Sequence, residues 1–284
     1  MMEKREQKER IKQAVRESYS KMATQGTATS NLSSALSCCE PPAISSPAET
    51  IDPCCEPGLT PEKISASMGY SVEEIQSVPE GANLGLGCGN PVAVASLKAG
   101  ETVVDLGSGA GFDCFLAVKE VGETGHVIGV DMTHEMISKA RSNAAKAGVE
   151  NVEFRLGEIE HLPVADNTAD LIMSNCVINL SPDKESVYSE AFRVLKPGGR
   201  LAISDILATT ELPDEIKEDL NLISACIGGA ETIANTTELL KNIGFKDIRI
   251  TPKDESRDLL NLWAPDAKAG DYIVSANIES TKPK

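Results

Sequence analysis

One stretch, residues 102–131 (TVVDLGSGAGFDCFLAVKEVGETGHVIGVD), constrains the fold of this chain more than any other. It opens with an apolar run that ends in Asp105 and continues into a series of closely spaced glycines. A helical segment then leads to a second apolar run, which Asp131 closes. Strand, glycine turn, helix, strand and acid in this order are typical of the first half of a nucleotide-binding α/β fold.

The rest of the chain continues this alternation of apolar runs and helical periods. Strands are predicted at 152–155, 169–175 and 200–205, and helices at 133–147 and 183–195, with residues 196–199 (KPGG) as a sharp turn. A helical stretch at 213–227, a helix at 236–243 and two edge strands at 245–251 and 272–278 follow. The pattern predicts an α/β fold with a Rossmann-like, doubly wound and mostly parallel sheet, to which the last two strands add an antiparallel edge.

Three segments are predicted from composition. Residues 1–80 begin with a charged helix over about residues 1–22 and continue into a Ser-, Ala-, Thr- and Pro-rich stretch without Lys or Arg, which is typical of a mobile linker. Residues 81–210 are predicted to form the nucleotide-binding core. Residues 211–284 are predicted to complete the acceptor site and the sheet edge.

Charge and hydropathy exclude several classes of partner. The net charge of -16 argues against a nucleic-acid backbone or an anionic membrane as the main partner. No apolar run approaches the roughly 20 residues of a membrane-spanning helix. The first residues carry charges but no apolar signal region, so we expect a cytoplasmic protein.

The glycine loop indicates which ligand is bound. Its pattern, Asp105-x-Gly107-x-Gly109-x-Gly111, differs in spacing from the dinucleotide fingerprint, and its acid would repel a phosphate. A carboxylate at Asp131 can accept hydrogen bonds from both ribose hydroxyls of a nucleoside. These features predict a nucleoside with a cationic amino-acid end, which is S-adenosylmethionine.

From about residue 80 to 250 the chain resembles the class I methyltransferases that use S-adenosylmethionine. The resemblance places Glu158 near the adenine amino group and Ile159 beside it, and it also covers the turn before the fifth strand. The candidate cofactor-binding residues are Asp105, Gly107, Ser108, Gly109, Gly111, Asp131, Met132, Glu158, Ile159 and Asn175.

The methyl acceptor is indicated by cysteines rather than by a base. Many enzymes of this fold use a positioned base, but the three histidines of this chain are poorly placed for that role. Cys88, Cys176 and Cys226 instead occupy loops expected to border the cofactor site. Soft thiolates select soft metals and metalloids, and trivalent arsenic can take three of them and keep a lone pair. From the residues alone, three buried core thiols are an equally good interpretation.

Three segments carry a more specific resemblance, NLGLGCGNP, SNCVINL and ACIGGA, which are similar to signature segments of the arsenite methyltransferases. The resemblance implies that Cys88, Cys176 and Cys226 bind arsenic, supplied as arsenite or its thiol conjugates. It also implies that an N-terminal cysteine, for which Cys54 and Cys55 are candidates, forms a disulfide with Cys88 during turnover. A thiol reductant or thioredoxin would then reset the enzyme.

Two alternatives stay open at this stage. The glycine motifs fit a methyltransferase of a small organic acceptor such as a quinone equally well, and the thiols fit a non-enzymatic metalloid-binding protein. An NAD dehydrogenase is disfavoured by the glycine spacing. Cys114, on the helix after the glycine loop, is interpreted as a packing residue.

Overall fold

The computed structural model describes residues 2–25, 60–257, 260 and 269–284. Within them, one sheet has the strand order β3-β2-β1-β4-β5-β7-β6. The strands are β1 Thr102–Leu106, β2 His126–Asp131, β3 Val152–Leu156, β4 Ala169–Asn175, β5 Leu195–Ala208, β6 Lys246–Lys253 and β7 Ile273–Thr281. Strands β1 to β5 pair in parallel, and β7 pairs antiparallel with both β5 and β6. The predicted fold class and its antiparallel edge are confirmed.

The helices follow the predicted alternation. They are α1 Met2–Gln25, α2 Pro61–Ser67, α3 Val72–Gln76, α4 Pro91–Ala95, α5 Phe112–Val121, α6 His134–Ala147, α7 Lys184–Val194, α8 Asp214–Glu218, α9 Leu220–Ser224 and α10 Ile233–Ile243. A 3-10 turn, Ile178–Leu180, follows β4. Local chemistry sets several ends: the Ser71 hydroxyl and the Glu74 carboxylate form a capping box on α3, and left-handed Gly148 and Gly244 end α6 and α10.

The prediction of a sharp turn at residues 196–199 was wrong. Strand β5 begins at Leu195 and runs through these residues, and the register against β4 shifts from Ala169↔Leu195 to Leu171↔Arg200. The surplus residues form a bulge with Gly198 at φ 82°. Two hydrogen bonds tie this bulge to Lys282, one from the Gly198 N–H to the Lys282 carbonyl and one returning to Gly199. The chain therefore continues along the sheet instead of reversing.

The helical stretch predicted at 213–227 is divided in two. Asp219 ends α8 and caps α9, because its carboxylate accepts from the N–H groups of Asn221 and Leu222. A residue whose side chain competes for backbone N–H groups favours a helix start over a helix interior. The break brings the segment after α9 back toward the sheet.

Helix α1 covers the carboxyl edge of the sheet. Val15 is fully buried, and Ile11 and Tyr19 pack against the same apolar cluster. Lys8 pairs with Asp183 at 2.6 Å, beyond β4. Residues 26–59, which contain the predicted linker and Cys38, Cys39, Cys54 and Cys55, lie outside the described residues.

Candidate functional site

A pocket lies where the carboxyl ends of β1, β2 and β4 meet, beneath α1. The pocket is a cleft with about 990 Å³ of empty space, including the solvent at its mouth. Predicted cofactor residues that line it are Asp105, Gly107, Ser108, Gly109, Asp131, Met132, Ile159 and Asn175. The structure thus brings together eight of the ten predicted residues in one pocket.

The other two predicted cofactor residues, Gly111 and Glu158, are outside the described pocket lining. Gly111 begins α5 at φ 96°, and an added Cβ would lie 2.8 Å from a ring carbon of Phe115. Its contacts are therefore with the core. The carboxylate of Glu158 accepts from Lys12 at 2.6 Å and from Arg16 at 3.3 Å, so it anchors α1 beside the pocket.

Three carboxyl groups, two buried and one partly buried, give the pocket its electrostatic character. Burial, together with the charge of Asp113, raises the pKa of Asp105. Burial also raises the pKa of Asp131, although that carboxylate accepts from the N–H groups of Gly109 and Thr133. The pKa of Asp113 rises to about 6 for the same reason. Carboxyl groups whose ionisation is opposed by burial favour a cationic ligand and disfavour a phosphate.

Two polar atoms of residues that line this pocket lack a partner within the described part of the chain. They are the Ser108 hydroxyl and the Asn83 amide nitrogen, both buried. Buried polar groups are nearly always hydrogen-bonded in folded proteins. A hydroxyl, which can donate and accept, and an amide nitrogen, which donates, are left without partners beside the pocket and fit a polar, nucleoside-like or amino-acid-like ligand.

The three predicted thiols form one buried cluster next to the pocket. Cys88, Cys176 and Cys226 are each no more than 6% exposed, and all are free. All three belong to one cluster of buried apolar residues, and Cys176 also lines the pocket. Cys226 donates its thiol proton to the Cys176 carbonyl at 2.7 Å. Burial raises the pKa of Cys88 and that of Cys176, so both are neutral thiols at neutral pH.

Sequence reasoning missed Asp205, which joins this cluster. One of its oxygens and the sulfurs of Cys88 and Cys176 all lie within 4.8 Å of one another. The carboxylate accepts from Asn179 at 2.9 Å and from the N–H of Ile178 at 3.0 Å. An acid at the end of the predicted strand 200–205 was the available signal.

Tyr19, on helix α1, is a second residue that sequence reasoning did not assign to the site. It lines the pocket and packs against the cluster that contains the three cysteines. Burial raises its pKa well above the usual range, and the nearby Cys226, Cys176 and Asp131 add to this shift. Helix α1 therefore places a side chain between the pocket and the thiols. The packing interpretation of Cys114 was incomplete as well, because its thiol donates to Asp105 at 3.1 Å.

Comparison with known proteins places these features in a family. A family model for a methyltransferase domain matches residues 97–244. The arsenite methyltransferase of Halobacterium salinarum is 55% identical over 219 residues, which cover 77% of this chain and 56% of that protein. The arsenite methyltransferase of Aquipseudomonas alcaligenes is 46% identical over 58% of this chain and 49% of that protein.

Among solved structures, the chain is similar to CrArsM, an arsenic(III) S-adenosylmethionine methyltransferase from Chlamydomonas reinhardtii. The identity is 34% and the TM-score 0.58, over 78% of this chain and 73% of that one. The chain spans about half the length of the curated relatives it matches. No helix among the described residues has the length and apolar character that crossing a bilayer requires.

Proposed function

The chain belongs to the methyltransferase domain family and, within it, to the arsenite methyltransferases, and on that premise we propose that it methylates trivalent arsenic with S-adenosylmethionine. One observation carries the proposal: the buried thiol cluster adjoins the acid-lined pocket, and Cys176 belongs to both. Soft ligands and a cation-selective pocket are the two requirements of this reaction. We place the reaction in the cytoplasm, where thiols stay reduced.

The methyl donor supplies an electrophilic methyl group on a sulfonium sulfur. Different residues of the pocket would bind its different parts. Asp131 would accept hydrogen bonds from the ribose hydroxyls, and Ile159 would lie against the adenine. Glu158, which is paired with Lys12 in the structure, would also accept from the adenine amino group. Asp105 and the Ser108 hydroxyl would hold the amino-acid end.

The thiols hold the acceptor. Arsenite exchanges its three hydroxyl groups for Cys88, Cys176 and Cys226, and each thiol proton leaves with a hydroxyl as water. Neutral thiols therefore suffice, and no separate base is required. The arsenic lone pair is then directed at the pocket beside Cys176, so that the chain contributes mainly positioning and exclusion of water.

Methyl transfer oxidises arsenic formally from the trivalent to the pentavalent state, so each further round needs two electrons. Oxidation of two thiols, Cys88 and either Cys54 or Cys55, to a disulfide would supply these two electrons and return arsenic to the trivalent state. A small thiol or thioredoxin then reduces the disulfide. This pairing is suggested by the family resemblance and involves residues outside the described part of the chain.

The direct test is to incubate the protein with arsenite, labelled S-adenosylmethionine and a thiol, and to identify the arsenic species by mass. We expect methylated arsenic from the wild type and none from Cys176→Ser or Cys226→Ser. Cys114→Ser is the matched control: it replaces a buried thiol outside the cluster and should bind arsenite as the wild type does.

Three other outcomes would contradict the proposal. Full activity after replacement of both Cys176 and Cys226 would exclude thiolate ligation. Arsenite binding without transfer of label would favour a metalloid-binding protein. Transfer of label to a quinone but not to arsenite would favour the organic-acceptor alternative.

A further inference from the structure

We propose that Asn175 is a positioning residue that fixes the Cys88 thiol at its distance from the Cys176 thiol. Asn175 was predicted as a cofactor contact, and it does line the pocket. Its side chain, however, makes its hydrogen bonds to the Cys88 loop and to two neighbours in the wall. The inference rests on the proposed function only in taking the two thiols to hold the same arsenic.

The Asn175 side chain forms two hydrogen bonds with the backbone of the Cys88 loop. Its carbonyl oxygen accepts from the Cys88 N–H at 3.0 Å, and its amide nitrogen donates to the Gly89 carbonyl at 2.8 Å. The residue that follows Asn175 in the chain is Cys176. One side chain thus connects two thiol-bearing segments that are far apart in the sequence.

The glycine before Cys88 shows how close this contact is. Gly87 has φ 123°, and a Cβ added to it would lie 2.7 Å from the Asn175 amide nitrogen. A side chain at this position would displace the amide. The loop sequence Gly-Cys-Gly therefore suits a backbone that lies directly against Asn175.

The Asn175 amide also has hydrogen-bond partners in the wall of the pocket. Its nitrogen also donates to Asp113 at 3.1 Å and approaches the Tyr70 hydroxyl at 2.9 Å. The Tyr70 hydroxyl in turn donates to Asp113 at 2.5 Å. All three side chains are buried or partly buried, so the amide has a single well-determined orientation. Asn175 connects the wall of the donor pocket to the position of Cys88.

The experiment measures the distance between the thiols without using arsenic. Dibromobimane becomes fluorescent when both of its ends react with thiols, and peptide mass spectrometry identifies the joined pair. In Asn175→Ala the Cys88 N–H and the Gly89 carbonyl lose their partner, so the yield of the Cys88–Cys176 crosslink should fall by about tenfold. The dissociation constant for S-adenosylmethionine, measured by calorimetry, should change by less than about threefold, which is less than the loss of a typical hydrogen bond of about 1 kcal/mol.

Two glycine substitutions keep the test decisive if Asn175→Ala fails to fold. Gly87→Ala should reproduce the crosslink loss, because its Cβ displaces the amide from the other side. Gly69→Ala is the matched control: Gly69 also has a positive φ of 99°, but nothing lies within 4 Å of an added Cβ. The crosslink yield of Gly69→Ala should equal that of the wild type. Thermal melting of both glycine variants measures the destabilisation that comes from placing alanine at a positive φ.

Unchanged crosslinking in both Asn175→Ala and Gly87→Ala would overturn the inference. A loss of donor affinity larger than the loss of crosslink would also overturn it and restore Asn175 as a cofactor contact. A wild type that crosslinks but binds no arsenite would refute the proposed function while the inference stands.

Discussion

The buried carboxyl of Asp205 allows a prediction in which both sign and size follow from the structure. Asp205 is 1% exposed, and it accepts hydrogen bonds from the N–H groups of Ile178 and Ile206 and from the Asn179 amide. Burial raises its pKa to about 6, against the lowering effect of these hydrogen bonds and of the Lys184 charge. The folded protein therefore binds a proton at Asp205 more tightly than the unfolded chain does.

The size follows from linkage. The pKa rises from 3.8 to about 6, and two units correspond to about 3 kcal/mol. This contribution to the free energy of unfolding is fully present below the unfolded pKa and is lost as the pH rises through 6. The side-chain amide in Asp205→Asn does not titrate, so the stability of this variant has no pH-dependent contribution from position 205. The stability of the wild type minus that of the variant should therefore fall by about 2 kcal/mol between about pH 4, where the unfolded carboxyl is already partly ionised, and pH 7.

Urea unfolding at both ends of this pH range measures the difference. A constant offset of about 1–3 kcal/mol is expected, because the new amide group faces the Ile178 N–H and leaves it unpaired. Other carboxyl groups titrate in both proteins and cancel. A difference that does not change with pH, or that grows, would refute a raised pKa at Asp205.

Asp170→Asn is a control for the direction in which the stability difference changes with pH. Asp170 is partly buried, but its hydrogen bonds with Lys196 and with the Thr102 N–H lower its pKa. Its stabilising contribution is present above the unfolded pKa and is lost as the pH falls. The stability of the wild type minus that of this variant should therefore rise with pH, opposite to the result for Asp205.

Three further predictions concern the donor pocket, the thiols and helix α1. Gly107→Ala should lower the free energy of unfolding by at least about 1 kcal/mol more than Gly148→Ala does, as measured by chemical unfolding. Both glycines have a positive φ, but only at Gly107 would an added Cβ lie 2.4 Å from the Val177 side chain. Arsenite affinity, measured by calorimetry, should change less than about twofold between about pH 6 and 8, because the protons of neutral thiols leave with the arsenite hydroxyls as water and none is exchanged with solvent. An affinity that falls steeply as the pH rises would indicate thiolates in the free protein. Lys12→Met removes the ion pair with Glu158 and should lower stability by up to about 1 kcal/mol at low salt and less at high salt.

Much of the fold could be predicted because its signals are local. The apolar runs of β1 and β2, the glycines between them and the cap of α3 are each defined within a few residues. The bulge in β5 could not be predicted in this way. Its sequence, Lys-Pro-Gly-Gly, is typical of a turn, and only pairing with β4 and with Lys282 shows that the strand continues.

The candidate site was predictable in its residue types and not in its contacts. The cysteines follow strand ends or glycine turns, which are visible in the sequence. The hydrogen bond from Cys88 to Asn175 spans 87 positions, and the one from Asn179 to Asp205 spans 26. Tyr19 reaches the thiols only because α1 crosses the sheet edge. Such contacts depend on the packing of distant elements, for which one sequence has no periodic signal.

The backbone at the thiols indicates how the cluster is organised. Cys176 and Cys226 have φ of 57° and 63°, a region that costs an L-residue about 1–2 kcal/mol. Glycine would relieve this strain but would carry no thiol. Asn175 immediately before Cys176, the anchored Ile178 N–H after it, and the Asn179 amide on the Cys226 carbonyl hold the two residues in place. Strain that persists because the surroundings over-determine it is a sign of preorganisation. A metalloid would therefore meet thiols already in position, and little of its binding free energy would go into ordering the loops.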